Sequence, residues 1–171
     1  MAAMMARDLV VRRETPEDRA AVRRLLIGAF PSQAEADLVD ALRAQNDRVL
    51  ALVAVCAGDV VGAVMYSKLQ APFAAVALAP IAVLIDHRRR GIGATLIEAG
   101  FAALQRMGVE AVFVLGDPGY YARFGFDAAA AAGFASPYAG PYFMMRTLTC
   151  RPHPATTGAV VHAPAFAQLA G

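Results

Sequence analysis

The sequence predicts one α/β (α+β) domain built around a mixed sheet. Three observations predict it: helical and strand-like runs alternate along the chain, an antiparallel hairpin sits inside the series, and no linker or repeat divides it. Leu9–Arg12 is a short β-type run. Thr15-Pro16-Glu17-Asp18 then reads as a helix start, with Thr15 as cap, Pro16 at the first helical position, and two acids on the positive end of the dipole. Ala21, Val22, Leu25, Leu26 and Phe30 follow at helical spacing until Pro31 stops the run. A second helix spans Gln33 to Ala44, with Leu38, Val39 and Leu42 on its apolar face.

The pattern then changes to β. Leu50–Cys56 and Val60–Lys68 flank Ala57-Gly58-Asp59 as a hairpin. Ala74–Leu84 is apolar on both faces, which predicts a central strand, and Pro80 predicts a bulge or break within it because proline cannot donate to a ladder. A long amphipathic helix runs from Ile92 to Met107, with Leu96, Ile97, Phe101 and Leu104 as its stripe and Gly108 as its C-terminal cap. Ala111–Leu115 is another buried strand, a short helix starts at Tyr120, and Tyr142–Thr149 is the last strand. Five prolines from Pro137 onward make the C-terminal quarter rich in loops, and Ala128–Ala132 is low in complexity.

Composition narrows the function classes. The chain has 171 residues, 58% of them hydrophobic and 18% charged, which is ample core material and excludes disorder. A net charge of +2, with Lys68 the only lysine, does not suit a protein that grips nucleic acid along its length. Mean hydropathy is +0.46, yet the longest apolar runs, Val49–Ala57 and Val76–Ile85, fall far short of the roughly 20 residues of a membrane span. Arg7 and Asp8 interrupt the N-terminus before a secretory core could develop. Cys56 and Cys150 stand far apart, match no metal spacing, and read as reduced thiols of a cytoplasmic protein. His153 and His162 have no acid or cysteine at ligand spacing, so no metal site is expected.

The stretch that carries chemistry is Arg88-Arg89-Arg90-Gly91-Ile92-Gly93-Ala94, between a buried strand and a long helix. The first turn of a helix leaves backbone N–H groups without partners and adds about half a positive charge. Glycines let a phosphate approach that backbone, and arginines add charge-assisted hydrogen bonds. A Walker-type loop is excluded because its lysine is missing. A dinucleotide fold is disfavoured, since Leu96 stands at the third glycine position and Glu110 lies at the wrong end of the next strand. Arg-x-x-Gly-x-Gly at Arg88, Gly91 and Gly93 remains.

This segment resembles the acetyl-CoA pyrophosphate loop of the GNAT superfamily of N-acetyltransferases. A second segment, Gly116-Asp117-Pro118-Gly119-Tyr120-Tyr121-Ala122-Arg123-Phe124-Gly125-Phe126, is similar to the second half of that fold in its YhbS-like branch, with Tyr121 four residues before Gly125. Gly158–Phe166 is similar to that branch's C-terminal extension.

The resemblance implies a central, mostly antiparallel sheet flanked by helices, whose two central strands splay apart to admit the pantetheine arm. It implies a transferase domain over residues 9–149 and an extension over residues 150–171 packed on the same domain. Ile81, Ala82 and Val83 would pair with the pantetheine amides, and the backbone of Arg88, Arg89, Arg90, Gly91, Ile92, Gly93 and Ala94 would take the diphosphate. Pro118, which lacks a donor, and Gly116 offer a local reason for the splay. The implied activity is direct acetyl transfer from acetyl-CoA to an amine in a ternary complex, where orientation supplies at most about 7–11 kcal/mol. Tyr121 is the expected general acid at the leaving sulfur, a role that contributes about 10²–10⁴-fold. A backbone N–H near Val83 would polarise the carbonyl. Tyr120, Phe124 and Phe126 read as packing residues, and Gly125 as a position needing positive φ.

One departure stands out: many relatives place a glutamate on the central strand, whereas Ala74–Leu84 holds no acid. Glu35, Asp37, His87 or a backbone-held water remain as candidates for the base. The acceptor face is expected at the two N-terminal helices and the loops near Gln70–Phe73 and Phe134–Tyr142, with Tyr138, Tyr142 and Phe143 as walls. No acidic cluster suits a polycation there, which points to a small-molecule amine or a protein N-terminus or lysine, on a monomer or homodimer. A non-catalytic acyl-CoA-binding module is the alternative.

Overall fold

A computed structural model of the chain describes residues 8–150 and 155–170. The first seven residues, Pro152, His153 and Pro154 lie outside the described residues. Strand β1 (Leu9–Arg13) leads into a 3₁₀ turn at Pro16–Asp18 and helix α1 (Arg19–Ala29), followed by α2 (Ala34–Ala44). Thr15 is the N-cap of this 3₁₀ turn with Pro16 in its first position, as expected, and Asp18 closes a capping box. Asp18 accepts from the Thr15 N–H (2.8 Å) and hydroxyl (3.1 Å) and takes a two-pronged bond from Arg12 at 2.7 and 3.0 Å. Those bonds, Arg12 first among them, hold the Asp18 carboxyl well below the usual carboxylate range.

The hairpin β2 (Arg48–Cys56) and β3 (Asp59–Gln70) closes on the two-residue turn Ala57–Gly58. Then come β4 (Ala75–Val83), α3 (Ile92–Arg106), β5 (Ala111–Leu115), α4 (Pro118–Tyr121), α5 (Ala128–Ala131), β6 (Phe134–Ala135), β7 (Phe143–Thr147), β8 (Gly158–Ala159) and β9 (Val161–His162). The sheet order is β1-β2-β3-β4-β5-β7, with β9 added on β3. Within this sheet only β4–β5 is parallel and the other pairs are antiparallel; β6 and β8 form a separate parallel pair. Alternate residues of each strand serve opposite faces. Val53, Ala63 and Met65 pack under α1 and α2 with the aromatic group Phe73, Phe113, Phe134 and Phe143. Leu52, Val64 and Tyr66 pack under α3 with Phe101 and Phe126.

The predicted central strand is central. The β3–β4 register slips between Val64–Ile81 and Tyr66–Leu78, which is the expected bulge, centred on the cis Ala79–Pro80 pair. On its other side β4 pairs with β5 only from Ala75–Ala111 to Ala77–Phe113, and the two strands then diverge. The origin of the splay therefore differs from expectation. It begins just before the Pro80 bulge on β4, whereas β5 keeps pairing with β7 as far as Leu115. Gly116 and Pro118 lie beyond it. The Pro118 segment is also helical from Pro118 itself, two residues earlier than predicted, because Asp117 caps it by accepting from the Gly119 N–H at 3.0 Å.

In the C-terminal segment, Leu69 pairs with His162 and Gln70 with Val161, and Ala165 and Phe166 are buried in the face shared with α2. Among the described residues no helix is long and apolar enough to cross a membrane, and no three or more metal-ligating side chains come together.

Candidate active site

The divergence of β4 from β5 opens a cavity of about 450 Å³. Its floor is Ile81, Ala82 and Val83 of β4, and one wall is the turn that opens α3. Of the ten residues expected to bind coenzyme, all but Arg90 line this one cavity. Ala29 and Phe30, from the end of α1, close one side. Tyr120, Arg123 and Phe124 also line it.

The turn is shaped by its backbone. Arg89 and Gly91 both adopt positive φ (62° and 78°), and Gly91 is the left-handed cap of α3. The first backbone bond of the helix runs from the Thr95 N–H to the Gly91 carbonyl (3.0 Å). The N–H groups of Ile92, Gly93 and Ala94 thus have no partner within the helix. Gly93 is required by closeness: a Cβ there would sit 2.7 Å from the Tyr120 hydroxyl. Arg88 ties the turn to the floor, its Nε donating to the Val83 carbonyl at 3.1 Å. Arg88, Arg89 and Arg123 give the lining a cationic character, and no carboxylate is among the lining residues.

The two tyrosines of α4 part company. Tyr120 lies at the turn, its hydroxyl over Gly93. Tyr121 does not line the cavity. Its ring lies on Gly116, at the end of β5 beyond the point of divergence, edge-on to Tyr120 (5.0 Å) and Phe126 (5.7 Å). Burial, with Tyr120 adding to it, pushes the Tyr121 phenol up to about 12. Burial raises Tyr120 as well, against the opposing charge of Arg123. Both therefore carry their proton at neutral pH. Tyr66, fully buried below, donates to the Ile97 carbonyl at 3.3 Å.

The candidate bases scatter. His87 lines the cavity with Nδ1 buried and unpartnered. Glu35, in the first turn of α2, has a buried Oε2 without a hydrogen-bond partner but does not line the cavity. Asp37 is bonded to Arg23 at 2.9 Å on the surface. One expected acceptor wall belongs to the core instead: Phe143 is 1% exposed, and Phe73, at the end of an expected acceptor loop, is 9% exposed, both held in the aromatic group with Phe113. Tyr138 packs edge-on against His162, and Tyr142 is exposed. Phe124 and Phe126 are buried as predicted, and Gly125 has φ of 81°.

Sequence reasoning missed Ala29, Phe30 and the cavity-facing role of Tyr120 and Arg123. Positions 120, 123 and 124 share a helical face at i, i+3 and i+4, a spacing that was legible.

Comparison with known proteins agrees with this geometry. The sequence profile described as the Acetyltransferase (GNAT) family matches residues 19–126. The Uncharacterized N-acetyltransferase YhbS of Escherichia coli strain K12 is 38% identical over 126 residues, 71% of this chain and 75% of that protein. The crystal structure of E. coli YhbS in complex with CoA superposes with a TM-score of 0.88 at 33% identity, covering 94% of this chain and 92% of that one. A GNAT family acetyltransferase from Brucella melitensis, solved in complex with acetyl-CoA, gives 0.78 at 33% identity, over 92% and 97% of the two chains. With the profile, the relatives, the diverging strands and the glycine turn all in agreement, this chain belongs to the GNAT family of acetyltransferases.

Proposed function

We propose that the protein moves an acetyl group from acetyl-CoA to a primary amine by direct transfer in a ternary complex. The observation that carries this reading is the single cavity that joins the β4 floor, where the strands have parted, to the unpartnered amides opening α3. The two relatives solved with CoA and acetyl-CoA support the same ligand here. In this reading the diphosphate lies on the amides from Arg88 to Ala94, and the pantetheine arm runs along Ile81–Val83.

The amine nitrogen attacks the thioester carbonyl carbon, the carbon–sulfur bond breaks, the sulfur takes a proton from the donor, and the proton lost by the nitrogen passes to solvent, from which the donor is reprotonated. Tyr121 is the proton donor in this account. Its phenol is protonated at neutral pH, and it stands on Gly116 beyond the point where β4 and β5 part. The acceptor is a small-molecule amine or a protein N-terminus or lysine.

Steady release of free thiol from acetyl-CoA, in a panel of amines, tests the activity. At least one amine should accelerate release above the hydrolysis background. No acceleration with any amine, alongside normal CoA binding, would instead support a non-catalytic acyl-CoA-binding module. Tyr121→Phe should lower turnover by about 10²-fold or more while CoA affinity changes little. Loss of affinity without loss of the chemical step contradicts the assigned role.

A further inference from the structure

We infer that Arg123, paired with Tyr120, forms a second phosphate-binding element beside the glycine turn, so that a coenzyme phosphate is held by a fixed guanidinium as well as by the turn's amides. The inference rests on the coenzyme reading above and adds a residue to it. Arg123 lines the same cavity as the turn that opens α3. Its guanidinium is held in place before any ligand arrives: Nε donates to the Tyr120 carbonyl at 3.0 Å, and its central carbon sits 4.8 Å from the centre of the Tyr120 ring. That ring in turn has its hydroxyl against Gly93, which brings the cation to the first turn of α3.

Among the described residues Arg123 forms no ion pair with a carboxylate, whereas Arg12, Arg23 and Arg43 each do. Its Nε is used, so the two terminal nitrogens remain as donors in the planar fork that suits a phosphate. A cation fixed by stacking and a backbone bond, lining a cavity without an acid, lacks only its anion. Because little side-chain freedom is left to lose on binding, its contribution to affinity is correspondingly larger.

The proximity of Tyr120 to Gly93 points to the diphosphate; the 3′-phosphate of the adenosine end offers the same chemistry. Titration calorimetry of the full chain with CoA and with dephospho-CoA, at low and moderate salt, distinguishes them. Arg123→Gln should weaken CoA binding about 10-fold to 100-fold, flatten the salt dependence, and leave the ligand-free melting temperature unchanged. Arg123→Lys should recover part of the loss, because charge without the fork is half the device. An equal loss with dephospho-CoA supports a grip on the diphosphate, and a loss confined to CoA supports a grip on the 3′-phosphate. Wild-type affinity of Arg123→Gln for both ligands overturns the inference and leaves the coenzyme reading intact. A wild-type chain that binds neither ligand overturns both.

Discussion

Replacing Gly93 with alanine separates the stability of the protein from its capacity to hold coenzyme. An ideal Cβ at Gly93 lies 2.7 Å from the Tyr120 hydroxyl oxygen and 3.9 Å from Val83 Cγ2. Ordinary contact starts near 3.5 Å, so the Tyr120 side chain must withdraw by about 0.8 Å. The Tyr120 ring is half-exposed at its margin and can move, while alanine in a helix is favoured over glycine by about 0.8–1.0 kcal/mol. These effects oppose each other, and the melting temperature should change by only a few degrees. Binding should not be spared. The methyl group stands where a phosphate would approach the Gly93 amide, and the moved tyrosine carries Arg123 with it. Losing one charge-assisted hydrogen bond of about 1.5–3 kcal/mol predicts CoA affinity lower by roughly 10-fold to 100-fold. Titration calorimetry reads that change, and Tyr120→Phe in the same background supplies the cycle. Removing the hydroxyl relieves the clash, so the double variant should bind about 0.5–1 kcal/mol better than the sum of the single losses. Wild-type affinity in Gly93→Ala, or strict additivity of the two changes, would refute the close approach on which the cavity is built.

Arg88→Glu should weaken coenzyme binding more at low ionic strength than at high, because it reverses a charge in the lining and removes the bond to the Val83 carbonyl; calorimetry at two salt concentrations checks it. Arg43→Met should lower stability to urea by about 3–5 kcal/mol, since Glu14, only 3% exposed, would be left with Arg48 at 3.9 Å as its remaining cation. His162 sits among Tyr138, Phe143 and Phe166, and burial lowers its basicity to about 4. The unfolded chain takes up a proton near 6.5 that the folded chain refuses until about 4, so stability should hold above pH 7 and fall by about 1–3 kcal/mol between pH 6.5 and 4. His162→Phe should flatten that portion of the urea-stability profile.

Much of the architecture was legible because local chemistry and burial agree. The continuous apolar runs of β2 and β3, the doubly apolar β4, and the leucine stripe of α3 each state which faces are buried, and the structure buries them. Pro80 announced its bulge because a missing donor is a local property. The source of the splay was not legible in the same way. Gly116 and Pro118 are weak pairing residues, but the register of β4 against β3 decides where β4 turns away from β5, and register is a property of two strands together. The phosphate-binding half of the site was readable from glycine spacing, which dictates backbone shape. The acceptor half was not, because aromatic residues such as Phe73 and Phe143 serve a core as well as a wall, and only tertiary packing distinguishes the two. Tyr120 and Arg123 were concealed for a related reason: adjacent tyrosines on a short helix face different ways, and composition does not say which faces the cavity.

A crystal structure of the protein with bound CoA tests the central claim most directly. The account predicts the diphosphate on the backbone amides between Arg88 and Ala94, and the pantetheine arm along Ile81–Val83 where β4 leaves β5. A coenzyme found elsewhere on the surface, with that gap empty or closed by side chains, would contradict it.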